Sequence, residues 1–149
     1  MRIGVPKEIK PQENRIGLTP DSVKTLVSEG HEVLVENNGG FEAGFDNDQY
    51  KNAGAKIIEK ATDIFNDAEI IVKVKEPQKV EVEMIKENQI VYTYLHLAAA
   101  KELTEGLVKS KSINIAYETI TDDNGRLPLL APMSAVAGRM SVQAGAHCL

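Results

Sequence analysis

The sequence contains a single cysteine, Cys148, among its 149 residues. No disulfide can therefore form within the chain, and no metal site can be built from cysteines. No histidines and carboxylates have the spacing of a zinc site either, so we predict that the protein binds no metal. Such low cysteine content fits reducing surroundings, and we expect a soluble cytoplasmic protein.

Long apolar runs and an excess of positive charge are also lacking. No apolar run reaches the ~18 residues of a membrane helix, and Pro6 and Lys7 come too early for a signal peptide. The 17 lysines and arginines are outnumbered by 22 acidic residues, giving a net charge of −5, and no basic stripe is formed. We therefore predict no membrane partner and no nucleic-acid partner.

The glycine pattern G-x-G-x-x-G, which opens the phosphate-binding turn of dinucleotide-binding domains, is absent. Gly39, Gly40 and Gly44 have the wrong spacing, and no strong helix start follows them. The chain thus carries no dinucleotide fingerprint of its own.

Short β-branched runs alternate with stretches that have the pattern of helices. The predicted strands are residues 3–6, 32–36, 56–58, 69–75, 89–95 and 112–116. This alternation predicts an α/β fold in which a parallel sheet carries helices on both faces, as in Rossmann-like or flavodoxin-like domains. A chain of this length can bury one good core, so one compact domain is expected.

Capping residues mark where helices begin. Thr19 followed by Pro20 is typical of an N-cap and a first helical position. Asp46, with Gln49 three residues later, is typical of a capping box. Two further helices are predicted in the connections after residues 77 and 98.

The last part of the chain has a different pattern. Pro132 is expected to keep the backbone extended, and Ser134 is predicted to be the N-cap of a helix. The helical pattern reaches Leu149 with neither a stop signal nor a following element. We therefore expect a substrate-binding domain over 1–131 and, over 132–149, the start of a helix that leads to a further domain.

Three successive predicted strands end in ionisable residues. Lys75, His96 and Glu118 are separated by 21 and 22 positions. In a right-handed parallel sheet, equal steps bring the carboxyl ends of the strands to one edge, where open α/β sheets bind ligands. Each residue alone is better explained by a solvated strand end, but three in register favour a site.

Arg15 lies in the loop after the first strand, which ends at what should be the same edge. A guanidinium group holds a carboxylate in a bidentate grip that a lysine cannot reproduce. On its position alone, Arg15 is better explained as an ordinary surface arginine.

Four segments together resemble a known family. They are residues 15–20 (RIGLTP), 73–77 (KVKEP), 92–97 (YTYLHL), and 132–134 (PMS) with 136–140 (VAGRM). In this order and at these separations they resemble the amino-terminal half of alanine dehydrogenases, and the resemblance runs over the whole chain. Transhydrogenase subunits and saccharopine-forming lysine dehydrogenases share mainly the first two segments.

The resemblance implies roles for individual residues. Arg15 and Lys75 would hold the carboxylate and polarise the keto oxygen of pyruvate, and His96 would be the acid/base residue. Ser134 would contact the cofactor phosphate, with Met133 close to the nicotinamide side. A helix N-terminus at Ser134 would itself attract an anion, although a plain N-cap explains this serine equally well.

Two more residues belong to the candidate set without an assigned step. Tyr94 lies in the third segment, and Glu118 could orient a neighbour or simply end a strand. His31 and His147 are interpreted as surface histidines.

The function implied by the resemblance is that of an NAD-dependent L-alanine dehydrogenase, which forms pyruvate and ammonia reversibly. In the family, the nucleotide-binding domain and a catalytic aspartate follow the helix that begins near Ser134. The chain would then hold half of the active site, NAD would be bound mainly by the missing domain, and the isolated chain would be inactive. Family members are usually hexamers, so a homo-oligomer is expected.

Two alternatives stay open. The first is a transhydrogenase subunit or a saccharopine-type dehydrogenase. The second is a non-catalytic module that binds a small carboxylate in the same crevice.

Overall fold

Six strands form one sheet in the computed structural model, which describes every residue from Met1 to Leu149. The strands are β1 (Arg2–Val5), β2 (Glu32–Glu36), β3 (Lys56–Ile58), β4 (Ile70–Val72), β5 (Ile90–Thr93) and β6 (Ile113–Ala116). Their order is β3-β2-β1-β4-β5-β6, and the pairs from β3 to β5 are parallel. The predicted α/β fold with a parallel sheet is confirmed.

Helices occupy most of the connections between the strands. They are α1 (Pro20–Ser28), α2 (Asn47–Asn52), α3 (Ala61–Asp67), α4 (Lys79–Val82), α5 (Lys101–Ser110) and α6 (Ala131–Cys148). Short 3-10 turns cover Phe41–Ala43, Leu97–Ala99 and Tyr117–Thr119. No helix is long and apolar enough to cross a lipid bilayer.

Both faces of the sheet are covered, as β1 shows. Ile3 and Val5 belong to a core cluster that also contains Val23 of α1 and Tyr50 of α2. Gly4, between them, points to the opposite face because side chains alternate along a strand. A Cβ at Gly4 would lie 2.5 Å from Cγ2 of Ile64 in α3, so the absence of a side chain lets α3 pack closely.

The capping signals predicted for α1 and α2 are confirmed. The hydroxyl of Thr19 accepts the N–H of Ser22 at 3.3 Å, and α1 begins at Pro20. Asp46 and Gln49 form the capping box of α2, with both reciprocal bonds at 2.8 Å. These signals are readable because each bond joins residues three positions apart.

Helix α3 was not expected from the sequence. It has seven residues, its N-cap Lys60 makes no side-chain capping bond, and its buried residues are only Ile64 and Phe65. A helix this short offers less than two full turns of periodicity, and its packing against the sheet stabilises it instead.

The prediction that Pro132 extends the chain and Ser134 caps the last helix is wrong. Helix α6 begins at Ala131, and the N–H of Ser134 donates to the C=O of Leu130 at 3.1 Å, so Ser134 is inside the helix. Proline is compatible with a first helical turn because the missing N–H has no intrahelical partner there.

The chain divides into two compact units, Met1–Ile115 and Ala116–Leu149. Helix α6 belongs to the second unit and has no buried residue. The functional boundary expected between residues 131 and 132 stays a prediction.

Candidate functional site

Lys75 and His96 lie at the same edge of the sheet. Each follows the end of its strand by three residues, since β4 ends at Val72 and β5 ends at Thr93. The two strands are parallel neighbours, and β4 residue Val72 pairs with β5 residue Tyr92. Both residues therefore follow the carboxyl ends of neighbouring parallel strands, at the edge where ligands bind in open α/β sheets.

Arg15 is oriented by a carboxylate that the sequence analysis did not single out. Its Nε donates to Oε1 of Glu13 at 2.8 Å, and its Nη2 donates to Oε2 at 2.5 Å. The Glu13 side chain is 6% exposed, whereas that of Arg15 is 50% exposed. A buried carboxylate thus holds an exposed guanidinium. The pair could not be recognised from the sequence, because two residues in one loop at a separation of two positions match no regular spacing.

Electrostatic coupling links the Arg15 loop to the ends of β4 and β5. The hydrogen bond from Arg15 lowers the pKa of Glu13 against the effect of burial, and the charge of Lys75 lowers it further. The hydrogen bond to Glu13 raises the pKa of Arg15, with smaller contributions from Glu8 and Tyr94. Arg15 and Lys75 therefore act on the same carboxylate, and Arg15 stays a cation.

His96 adopts a left-handed backbone conformation, with φ of 52°, where the chain leaves β5. Non-glycine residues rarely take this conformation, and histidine is among those that tolerate it. The imidazole stacks on the ring of Tyr94, with ring centroids 6.5 Å apart and planes inclined by 22°. Tyr94 is buried and His96 is exposed, so a fixed aromatic surface supports an accessible imidazole.

Glu76 adds a carboxylate near the imidazole. Burial raises the pKa of Glu76, but the hydrogen bond and charge of Lys10, with a smaller effect from His96, leave it below its usual value. Glu76 is therefore ionised near neutral pH and contributes negative charge on the His96 side of the edge.

A buried ionic cluster lies beneath this edge. The ammonium of Lys73 is 3.0 Å from Oε2 of Glu8 and 2.7 Å from Oε1 of Glu81. These three side chains are at most 2% exposed. The only sign of this cluster in the sequence is a lysine among the apolar residues of a predicted strand. Its partners could not be read from local spacing, because Glu8 is 65 positions away and Glu81 lies in helix α4.

Glu81 gives the cluster a pH dependence. Burial raises the pKa of Glu81, with Lys73 opposing and Glu8 assisting the shift. A group with a raised folded-state pKa stabilises the fold below its unfolded-state pKa, and this contribution is lost as the pH rises through the folded-state value. We therefore expect the free energy of unfolding to decrease as the pH rises above about 4.5. The substitution Glu81→Gln should abolish this decrease.

Urea unfolding of both proteins at a series of pH values measures this difference. The amide resembles the protonated acid, so the free energy of unfolding of the variant should increase relative to that of the parent protein as the pH rises. Parallel pH curves for the two proteins would contradict the expectation.

The other predicted site residues lie in the second unit. Glu118 is half-buried in the 3-10 turn Tyr117–Thr119. Met133 is half-buried and Ser134 is exposed, both within α6. Because Ser134 is not the N-cap, the anion site expected at a helix start there is not formed by its own N–H. Contacts of Ser134 and Met133 with a cofactor stay predictions.

Two cavities border this region. A cavity of about 400 Å³ runs along the loop after β1 and is lined by Glu8, Glu13 and Arg15 among others. A larger one, of about 690 Å³, lies between α4 and α5 and includes neither Arg15 nor His96 in its lining. The smaller cavity therefore borders the Arg15 loop, and its lining includes neither Lys75 nor His96.

Comparison with known proteins places these residues in context. A family model described as "Alanine dehydrogenase/PNT, N-terminal domain" matches residues 4–137. Alanine dehydrogenases of Staphylococcus epidermidis and Halomonas elongata are 52% and 53% identical over the whole chain. The chain spans 40% of the length of each of these relatives.

The fold is also similar to those of solved structures. An L-alanine dehydrogenase structure, 52% identical, matches 99% of this chain and 40% of its own with a TM-score of 0.93. A transhydrogenase from Sinorhizobium meliloti is 26% identical, matches 80% of this chain and 36% of its own, and has a TM-score of 0.75.

Proposed function

Because the chain belongs to the alanine dehydrogenase/PNT amino-terminal domain family, we propose that it forms the substrate-binding part of an NAD-dependent L-alanine dehydrogenase. The reaction converts L-alanine, NAD and water to pyruvate, ammonia and NADH. One observation carries the proposal: Lys75 and His96 lie at one sheet edge beside the Arg15 loop, in a chain 52% identical along its length to an alanine dehydrogenase.

Arg15 and Lys75 would bind the 2-oxo acid. The planar guanidinium fork of Arg15 suits the substrate carboxylate. Glu13 supports this role because its bidentate contact fixes the plane of the guanidinium before the substrate arrives. The ammonium of Lys75 would stabilise the negative charge that develops on the keto oxygen.

His96 would move the protons. In the amination direction, ammonia attacks the keto carbon of pyruvate and water leaves to give an imine, so protons must leave nitrogen and reach oxygen. Imidazole can accept and donate protons near neutral pH. Stacking on Tyr94 supports the role because it restricts the ring while leaving it exposed at the crevice.

NAD, when bound, supplies the hydride acceptor for alanine oxidation. The exposed hydroxyl of Ser134 can donate to a phosphate oxygen, and Met133 lies one residue before it. The lack of G-x-G-x-x-G supports placing most of the NAD site in a separate domain of the full-length protein. Homo-oligomeric assembly, implied by the family resemblance, and cytoplasmic location, expected from the sequence, stay predictions.

The proposal is tested by adding L-alanine and NAD to the full-length protein and following NADH absorbance. We expect turnover by the full-length protein and none by residues 1–149 alone. If the full-length protein instead transfers hydride between nucleotides without consuming alanine, the transhydrogenase alternative is correct. Pyruvate binding by a full-length protein that has neither activity would favour the non-catalytic module.

Arg15→Lys should act mainly through pyruvate affinity. A point charge replaces a bidentate fork, so we expect KM for pyruvate to rise by roughly one to two orders of magnitude, the loss of a charged hydrogen bond. Steady-state kinetics in the amination direction measure this effect. Arg126→Lys, in a turn of the second unit, is the matched control and should leave KM unchanged. An unchanged KM in the Arg15 variant would show that Arg15 is a surface arginine.

A further inference from the structure

The backbone of Lys75 is held by two side chains after the strand has ended. Its N–H donates to Oε1 of Glu8 at 3.3 Å, and its C=O accepts the hydroxyl of Thr93 at 2.8 Å. Glu8 belongs to the segment after β1, and Thr93 is the last residue of β5. The peptide units that flank the Lys75 Cα are therefore fastened from both neighbouring strands.

Glu8 is itself immobilised. Its Oε1 also accepts the N–H of Val74 at 2.6 Å, and its Oε2 accepts from the ammonium of Lys73 at 3.0 Å. The residue is 6% exposed. Because both oxygens are engaged with different groups, the carboxylate cannot rotate without breaking one of these bonds.

Thr93 is also fixed. It is completely buried, and its neighbour Tyr94 donates its own N–H to the C=O of Val74 at 3.3 Å. The backbone next to Thr93 is therefore hydrogen-bonded to the residue before Lys75, which restricts the position of the Thr93 hydroxyl.

Stability alone does not explain this arrangement. Removing charged groups from water is costly, and well-packed apolar residues of similar volume often stabilise a fold as well or better. A carboxylate that receives two successive backbone N–H groups does, however, set their direction. The residue whose backbone is held in this way, Lys75, carries a charge that lowers the pKa of Glu13, the partner of Arg15.

We propose that Glu8 and Thr93 are positioning residues that fix the Lys75 peptide so that its ammonium meets the keto oxygen of the 2-oxo acid. The inference rests on the proposed function, since it takes Lys75 as the group that polarises this oxygen. Both residues are buried and act through Lys75 rather than through contact with the substrate. A displacement of about 1 Å at a reacting group can lower the rate ~10²-fold, so the backbone of such a lysine must be held firmly.

Thr93→Val tests the proposal in the full-length protein. Valine has nearly the shape of threonine but leaves the C=O of Lys75 without the hydroxyl. We expect kcat/KM for pyruvate to fall roughly tenfold, within the range that misplacement can cause. Thr93→Ser keeps the hydroxyl and should stay near the parent value. Thr25→Val, which removes a hydroxyl bonded to the C=O of Asp21 in α1, should change nothing.

A double-mutant cycle with Lys75→Ala separates positioning from general support of the fold. If Thr93 acts through Lys75, adding Thr93→Val to Lys75→Ala should cause no further loss of kcat/KM. If the losses of kcat/KM in the two single variants instead multiply in the double variant, this inference is overturned and the role of Lys75 is unaffected. If Lys75→Ala alone retains full activity, the proposed role of Lys75 fails instead. Should Thr93→Val not fold, Glu8→Gln enters the same cycle with the same expectation.

Discussion

His96→Ala in the full-length protein should lower kcat for pyruvate amination by about two to four orders of magnitude, the usual contribution of acid/base catalysis. The reason is that alanine cannot exchange protons with the ammonia nitrogen or the departing oxygen. Pyruvate should still bind, because Arg15 and Lys75 would hold it. Steady-state kinetics in the amination direction, with pyruvate and ammonia varied separately, measure both quantities.

The matched control is His147→Ala, which removes an exposed imidazole at the end of α6. It should leave kcat unchanged. Near-normal kcat in the His96 variant would show that the imidazole only ends a strand and that another group moves the protons.

Lys73→Met should destabilise the fold by about 3–5 kcal/mol, the cost of removing one partner from a buried ionic cluster. Methionine fills much of the volume of the lysine chain but leaves Glu8 and Glu81 facing each other without a cation. Urea unfolding at pH 7 measures the loss. The destabilisation should shrink at lower pH, because protonation of Glu81 removes one of the two uncompensated charges.

Lys56→Met provides the comparison for this stability prediction. Lys56 pairs with Glu32 at the surface, where the two side chains are 67% and 37% exposed. An exposed pair of this kind contributes about 0–1 kcal/mol. Equal losses of unfolding free energy in the two variants would mean that the cluster around Lys73 is hydrated and contributes no more to stability than an exposed pair.

Much of the framework could be predicted because its causes are local. Strands β2 and β3 have the predicted limits, and Thr19 and Asp46 start their helices through bonds to residues three positions later. The placement of Lys75 and His96 at one sheet edge followed from a general rule, since parallel strands with similar connections end at one edge. Such inferences need only the order of residues and the handedness of the crossover.

The start of α6 could not be predicted in the same way. Pro132 is compatible both with an extended segment and with a first helical turn, and Ser134 is acceptable both as a cap and inside a helix. Local preferences therefore left the boundary open. The bond from the N–H of Ser134 to Leu130 shows which arrangement the backbone adopts.

The sequence by itself determined the α/β class, two capping sites, the family and the placement of Lys75 and His96 at one sheet edge. Periodicity, short-range hydrogen bonds and sheet handedness are encoded within a few dozen residues. Only the tertiary structure decided which groups surround them. It brought Glu8 and Thr93 to the backbone of Lys75 across 67 and 18 positions. Contacts at such separations depend on how strands are ordered and packed, and no local pattern specifies them.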